Sequence, residues 1–106
     1  MDNVVCLVTA PPDAALPIAE AVVGDRLVAC VNILPAVHSV YRWQGAVERA
    51  DESLLVMKTT RSTVAPLTVA IGKLHPYETF ELVALDIVDG APAYLDWIAA
   101  SVTATR

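Results

Sequence analysis

A chain of 106 residues, 56% of them hydrophobic and with a net charge of −5, forms one domain, 1–106, with more apolar surface than so small a body easily hides. Its seven basic residues are scattered and outnumbered by acids, which excludes a phosphate-tracking surface and with it a nucleic-acid partner. The longest uncharged stretch, 27 to 41, is too short and too interrupted by Asn32, Pro35 and His38 to cross a bilayer, so no membrane partner is expected.

Asn3 to Thr9 is a nearly continuous apolar run and predicts a central strand. Asp13 offers an N-cap to a helix in which Leu16, Ala19, Val22 and Val23 recur at helical spacing, with Gly24 as its stop. Val28 to Trp43 and Val47 to Thr59 are rich in β-branched residues, and Trp43-Gln44-Gly45-Ala46 between them reads as a tight hairpin turn. Ser62 or Thr63 caps a second helix through Val64, Leu67, Ile71 and Leu74. A last strand from Phe80 to Val88 precedes a short helix carrying Tyr94, Trp97 and Ile98. Pro17 and Pro66 fall about one turn into their helices, where a proline is tolerated if the cap lies a residue later.

The order βαββαβ plus a terminal helix predicts an α+β, ferredoxin-like fold. Its two halves echo each other in Asp13-x-x-x-Pro17-Ile18-x-x-Ala21-Val22 and Ser62-x-x-x-Pro66-Leu67-x-x-Ala70-Ile71. Each hairpin arm of about 14 residues would run roughly 45 Å, whereas a domain of this length is only about 35 Å across. The arms therefore overhang their own domain, and an apolar overhang bearing Tyr41 and Trp43 exposes unpaired edges unless another subunit completes the sheet. Pro35 marks a bulge where the arm bends.

The run Leu74-His75-Pro76-Tyr77-Glu78 gathers an imidazole, a phenol and a carboxylate at a helix-to-strand corner. Pro76 fixes its own φ and pushes His75 out of the helical region. Two readings of the corner stand open, a binding site or a Pro stop with a solvent-facing His. Catalysis has little in its favour, so no enzyme is expected: no Ser lies in a nucleophile-elbow context, four glycines build no phosphate loop, and neither cysteine has a His nearby in sequence. His75 with Glu78 is the one candidate acid/base pair. Cys6 and Cys30 lie in apolar runs as small buried hydrophobes. With no basic region ahead of the first apolar run, they point to a reducing cytoplasm.

Five motifs stand in one order: Ala29-Cys30-Val31-Asn32-Ile33-Leu34-Pro35, Ser39-x-Tyr41-x-Trp43-x-Gly45, Leu54-x-x-x-Lys58-Thr59, His75-Pro76-Tyr77-Glu78 and Tyr94-Leu95-x-Trp97. From Val4 to Val102 the chain thereby resembles the CutA family of divalent-cation tolerance proteins. The resemblance implies a homotrimer whose long hairpins complete the neighbours' sheets, and a part in the response to copper and other divalent cations. It also implies a metal set of a cysteine late in the first strand and a His-His pair leading into Pro-Tyr. Here Val8 and Leu74 occupy two of those positions and only His75 matches, leaving His75 and Glu78, with Glu81 beside them, as candidate ligands for copper or another divalent cation. Cys6 and His38 are further donors whose part stays open. Tyr77, Trp43, Lys58 and Tyr94 are candidates for a ligand cleft between subunits. Two alternatives accompany the metal reading: a small-molecule-sensing trimer like the PII signalling proteins, and a structural trimer without a ligand.

Overall fold

Burial alternates along strand β1 (Asn3–Ala10): Val4, Cys6, Val8 and Ala10 are buried on one face while Val5, Leu7 and Thr9 lie half-buried on the other. The computed structural model describes residues 2–102; residue 1 and residues 103–106 of the expected 1–106 domain lie outside the described residues. Helix α1 (Pro12–Gly24) buries Ala15, Ile18, Ala19 and Val22, an i, i+3, i+4, i+7 pattern that makes one continuous stripe. Helix α2 (Val64–Leu74), entered through a 3-10 turn at Arg61–Thr63, buries Leu67 and Ile71 one turn apart. Both stripes close on the Val4, Cys6 and Val8 face together with Leu55 and Met57. Each fully buried aliphatic side chain there contributes about 1.5–3 kcal/mol.

The sheet runs β2 (Cys30–Trp43), β3 (Ala46–Thr60), β1, β4 (Val83–Asp86), and every neighbouring pair is antiparallel. This is the ferredoxin-like order expected from the sequence. Helix α3 (Pro92–Ser101) is tied to the other face by Asn3, whose Nδ2 donates to the Leu95 carbonyl at 3.0 Å, and it buries Ile98. Beyond that helix, Val83 and Leu85 of β4 remain exposed.

The hairpin outruns the sheet. Pairing between β2 and β3 continues to Trp43↔Ala46, whereas β1 accompanies β3 only as far as Ser53, so 46–52 of β3 pair with β2 alone. This arm sets the long axis of a body measuring 43 × 26 × 22 Å. Gln44 and Gly45 form its two-residue turn with φ of 49° and 83°, the left-handed pair that matches strand twist. The register slips between Leu34 and Val37, placing the bulge at Pro35 as the sequence predicts, and Ser53 Oγ donates to the freed Pro35 carbonyl.

Several boundaries differ from expectation for identifiable reasons. Helix α1 starts at Pro12 behind Pro11, without a side-chain cap from Asp13. Pro17 is therefore interior and removes the bond its amide would make to the Asp13 carbonyl. Pro66 sits in the first turn of α2, where its missing N–H has no partner to lose, and neither Ser62 nor Thr63 caps that helix by its side chain. Helix α1 ends at Gly24 as expected, but the left-handed residue that closes the turn is Arg26 at φ 59°, while Leu27 and Arg26 donate to the Val22 and Val23 carbonyls. Relieving that backbone with glycine should gain about 1 kcal/mol. Because Arg26 also reaches the Ala100 carbonyl, the fair comparison is with Arg26→Ala. Arg26→Gly is expected to unfold at higher urea than Arg26→Ala, and equal midpoints would show that the position carries no strain.

Candidate functional site

Strand β4 pairs with β1 only from Val4↔Asp86 to Leu7↔Val83, four residues instead of the run from Phe80 to Val88 expected from hydropathy. The missing rungs are filled by a side chain. The Asn3 carbonyl faces β4 and accepts from the Ile87 amide, so by strand periodicity the Thr9 carbonyl faces the same edge. Continuing the register would bring the Glu81 amide to Thr9. Instead His75 Nε2–H donates to the Thr9 carbonyl at 2.7 Å, and the Tyr77 amide donates to His75 Nδ1 at 3.1 Å. The ring stacks on Phe80 with centroids 5.2 Å apart and planes 17° apart. His75 itself terminates α2, its amide donating to the Ile71 carbonyl.

This arrangement answers the reading left open for the corner. His75 is only 7% exposed and does not face solvent. With Nδ1 accepting and Nε2 donating, the ring has no lone pair left for a metal, nor is it paired with Glu78 for acid/base work. Glu78 is exposed, Val8 is fully buried in the core, and Cys6 is buried with its thiol pushed upward by desolvation. His38 projects from the hairpin and meets Asp51 at 2.8 Å, both well exposed. Among the described residues no group of three or more His, Cys, Asp or Glu is placed to hold a metal ion. The donor set does not fit copper or another divalent cation within one chain.

The corner does build a cavity. Between it and the overhanging hairpin lies a concave space of about 730 Å³, lined by Thr9, Tyr41, Trp43, Glu52, Tyr77 and Glu78 among others. Thr9, Tyr41, Trp43 and Glu52 share one face of the sheet by cross-strand register, and the corner brings Tyr77 and Glu78 over them. Glu52 is 5% exposed and accepts from the Tyr77 hydroxyl at 3.1 Å. Burial first, then the hydrogen bond and charge of Glu52, push the Tyr77 phenol above its ordinary value of 10.0.

Of the four expected cleft residues, Tyr77 and Trp43 meet in this cavity and Lys58 and Tyr94 do not. Lys58 lies opposite Val5 and Cys30, toward the other end of the sheet, where its ammonium bonds Asn32 Oδ1 and stands 3.9 Å from Cys30 Sγ. Cys30 is thus a half-buried polar neighbour and not the buried hydrophobe expected. Tyr94 packs on Trp97 at 5.4 Å, its phenol pushed up by burial and then by Cys30. Arg61 pairs with Asp86. The sequence reading missed Glu52. Its signal was a phase one: it shares the strand parity of Leu54 and Val56, an acid directly in line with two apolar residues.

Fold and site together define an α+β subunit with the ferredoxin-like strand order, an overlong hairpin and a cavity beneath it. Residues 4–101 match the family described as CutA1 divalent ion tolerance protein, and the chain belongs to that family. It is 45% identical over 98 residues to the divalent-cation tolerance protein CutA of Thermus thermophilus, covering 92% of this chain and 95% of that one. Protein CutA of Mus musculus is 45% identical over 92 residues, but this chain spans only 52% of its length. Among solved structures, the Thermus thermophilus divalent cation tolerance protein superimposes with a TM-score of 0.93 at 44% identity, covering 95% of this chain and 99% of that one. The PII-like protein CutA from Nostoc superimposes with a TM-score of 0.88 at 32% identity, covering 94% and 97%.

Two substitutions test the corner. His75→Ala leaves the Thr9 carbonyl without its donor and should cost about 1–3 kcal/mol, read by urea unfolding; a variant as stable as the parent would remove the ring from its structural role. Tyr77→Phe should delete one of two late phenol ionisations in an alkaline absorbance titration, Tyr94 being the other. Because the native phenol of Tyr77 titrates above its unfolded value, its share of stability is complete below pH 10.0 and is lost as pH rises through the native value. Tyr77→Phe should flatten that loss, and an unchanged alkaline limb would dismiss the Glu52 contact as its cause.

Proposed function

We propose that this chain acts as a homotrimer that supports tolerance of divalent cations by binding a small molecule in the cavity beneath its hairpin, not by holding a metal ion on His75. The observation that carries this reading is the pairing of a walled cavity with a histidine already engaged on both nitrogens. An aromatic and hydroxyl lining with a few polar groups is the composition of a small-ligand site. The PII-like description of the Nostoc relative favours the same reading.

Trimer formation rests on unpaired strand. Among the described residues the arms at 37–43 and 46–52 have no third strand, and Val40 and Val47 on them are 66% and 63% exposed. Val83 and Leu85 on edge strand β4 are exposed as well. A neighbour's hairpin laid along such an edge would satisfy both defects. We read the chain as a binding protein and not an enzyme, since the imidazole needed for acid/base work is engaged by backbone. A cytoplasmic setting suits two free thiols, although relatives carry chloroplastic and periplasmic names.

Light scattering should return about three times the 11.3 kDa chain mass. Val40→Asp combined with Val47→Asp should shift that mass toward the single chain; a monomeric parent at micromolar concentration would sink the assembly. Calorimetric titration of the reduced trimer with copper and then zinc should give no saturable heat that His75→Ala abolishes, with unfolding curves recorded for both proteins. A stoichiometric heat lost in that variant would restore the metal site.

A further inference from the structure

The charge of the cavity is one-sided. Glu52, Glu78 and Glu81 line it, and among the described residues neither lysine nor arginine does. The one basic residue on its wall, His38, is held by Asp51. Glu52 is the informative member, because it is nearly buried and no Lys, Arg or His pairs with it among the described residues. Its Oε2 accepts from the Tyr77 hydroxyl, and its other oxygen has no hydrogen bond among the described residues. That oxygen is not sealed from solvent and so stands open to a cation entering the cavity, which a largely buried carboxylate with one neutral donor attracts.

The rings sharpen the choice of cation. Tyr41, Trp43 and Tyr77 line the same space, and aromatic faces attract ammonium groups as well as apolar carbon. Phosphates, nucleotides and polycarboxylates would meet three carboxylates and no fixed positive charge, which disfavours them by like-charge repulsion. A bare metal ion needs several donors converging on one point, and these carboxylates do not converge in that way. A body with positive charge carried on an apolar frame matches acids set apart around aromatic walls, in a space of about 730 Å³.

We propose that the cavity is a site for a small organic ammonium ion, its charge received by Glu52 and supported by Glu78, its carbon frame laid against Trp43, Tyr41 and Tyr77. This rests on the small-molecule reading of the cavity given above and names the ligand class. In it the PII-like architecture serves a cation and not a nucleotide.

The test is calorimetry on the assembled protein with butane-1,4-diamine and tetramethylammonium as probes, beside ATP and citrate as anionic controls. Saturable binding of an ammonium probe is expected, weakening with added salt, and silence from both anions. Glu52→Gln keeps the shape of the side chain and should weaken the ammonium probe about tenfold or more, equivalent to a Kd shift of one decade. Glu78→Gln, on an exposed carboxylate, should weaken it less without touching the fold. If Glu52→Gln lowers the unfolding midpoint, Glu78→Gln and Trp43→Leu carry the test instead, each expected to weaken binding. Saturable binding of ATP or citrate with silence from both amines would overturn the ammonium assignment and leave the small-molecule reading standing. Silence from all four probes would overturn both. Amine binding unchanged in every variant would place the amine elsewhere and reject this site.

Discussion

The Nε2–H of His75 bonds the carbonyl of Thr9 at the place where a longer fourth strand would bring the amide of Glu81. A backbone carbonyl on an unpaired, partly buried edge needs a donor, and the imidazole supplies one without a strand behind it. With Nδ1 receiving the Tyr77 amide and Phe80 stacked on the ring, one side chain fixes the end of α2, the far end of β1 and the start of the approach to β4. Glu81, released from the ladder, accepts from Thr9 Oγ1 instead. The corner can therefore stand over the sheet as a wall, with Tyr77 and Glu78 facing the hairpin.

The second constraint is one of length. β1 has eight residues against fourteen and fifteen in the hairpin arms, so the sheet steps down where β1 ends. The step leaves apolar hairpin surface without cover and opens the space beneath it. The same mismatch underlies both the proposed assembly and the cavity, since both follow from strand that has no neighbour among the described residues. Pro35 takes part by breaking the register, and Ser53 satisfies the carbonyl that the bulge frees.

Family membership and site geometry bear on function at different levels. The chain belongs to the CutA1 family along 4–101, which sets the fold and the broad association with divalent-cation tolerance. How a given member acts is decided by side chains, and here Val8 and Leu74 stand where the resemblance places a thiol and a second imidazole, Val8 being sealed in the core. The acids and rings under the hairpin are the polar chemistry that remains concentrated in one place.

Element order, the Gln44-Gly45 turn, the Pro35 bulge and the overhang of the hairpin were legible in the sequence, because hydrophobic period, turn chemistry and strand length are local properties. The corner at His75 was legible as a place and not as a role: Pro76 dictates the bend, but which atoms the ring meets depends on Thr9, 66 positions away. Local pattern misled at Phe80–Leu82, whose strand-like hydropathy gave way when an imidazole took the rung and Phe80 turned to stack on it. Lys58 and Tyr94 were grouped with Tyr77 and Trp43 by motif, yet register sets Lys58 toward the other end of the sheet from Trp43, and Tyr94 packs on Trp97 in α3. Glu52 went unread because strand parity fixes only the face on which a residue lies. Its burial and its bond to Tyr77 were decided by tertiary structure, where the corner folded over the sheet and set the Tyr77 hydroxyl on that carboxylate.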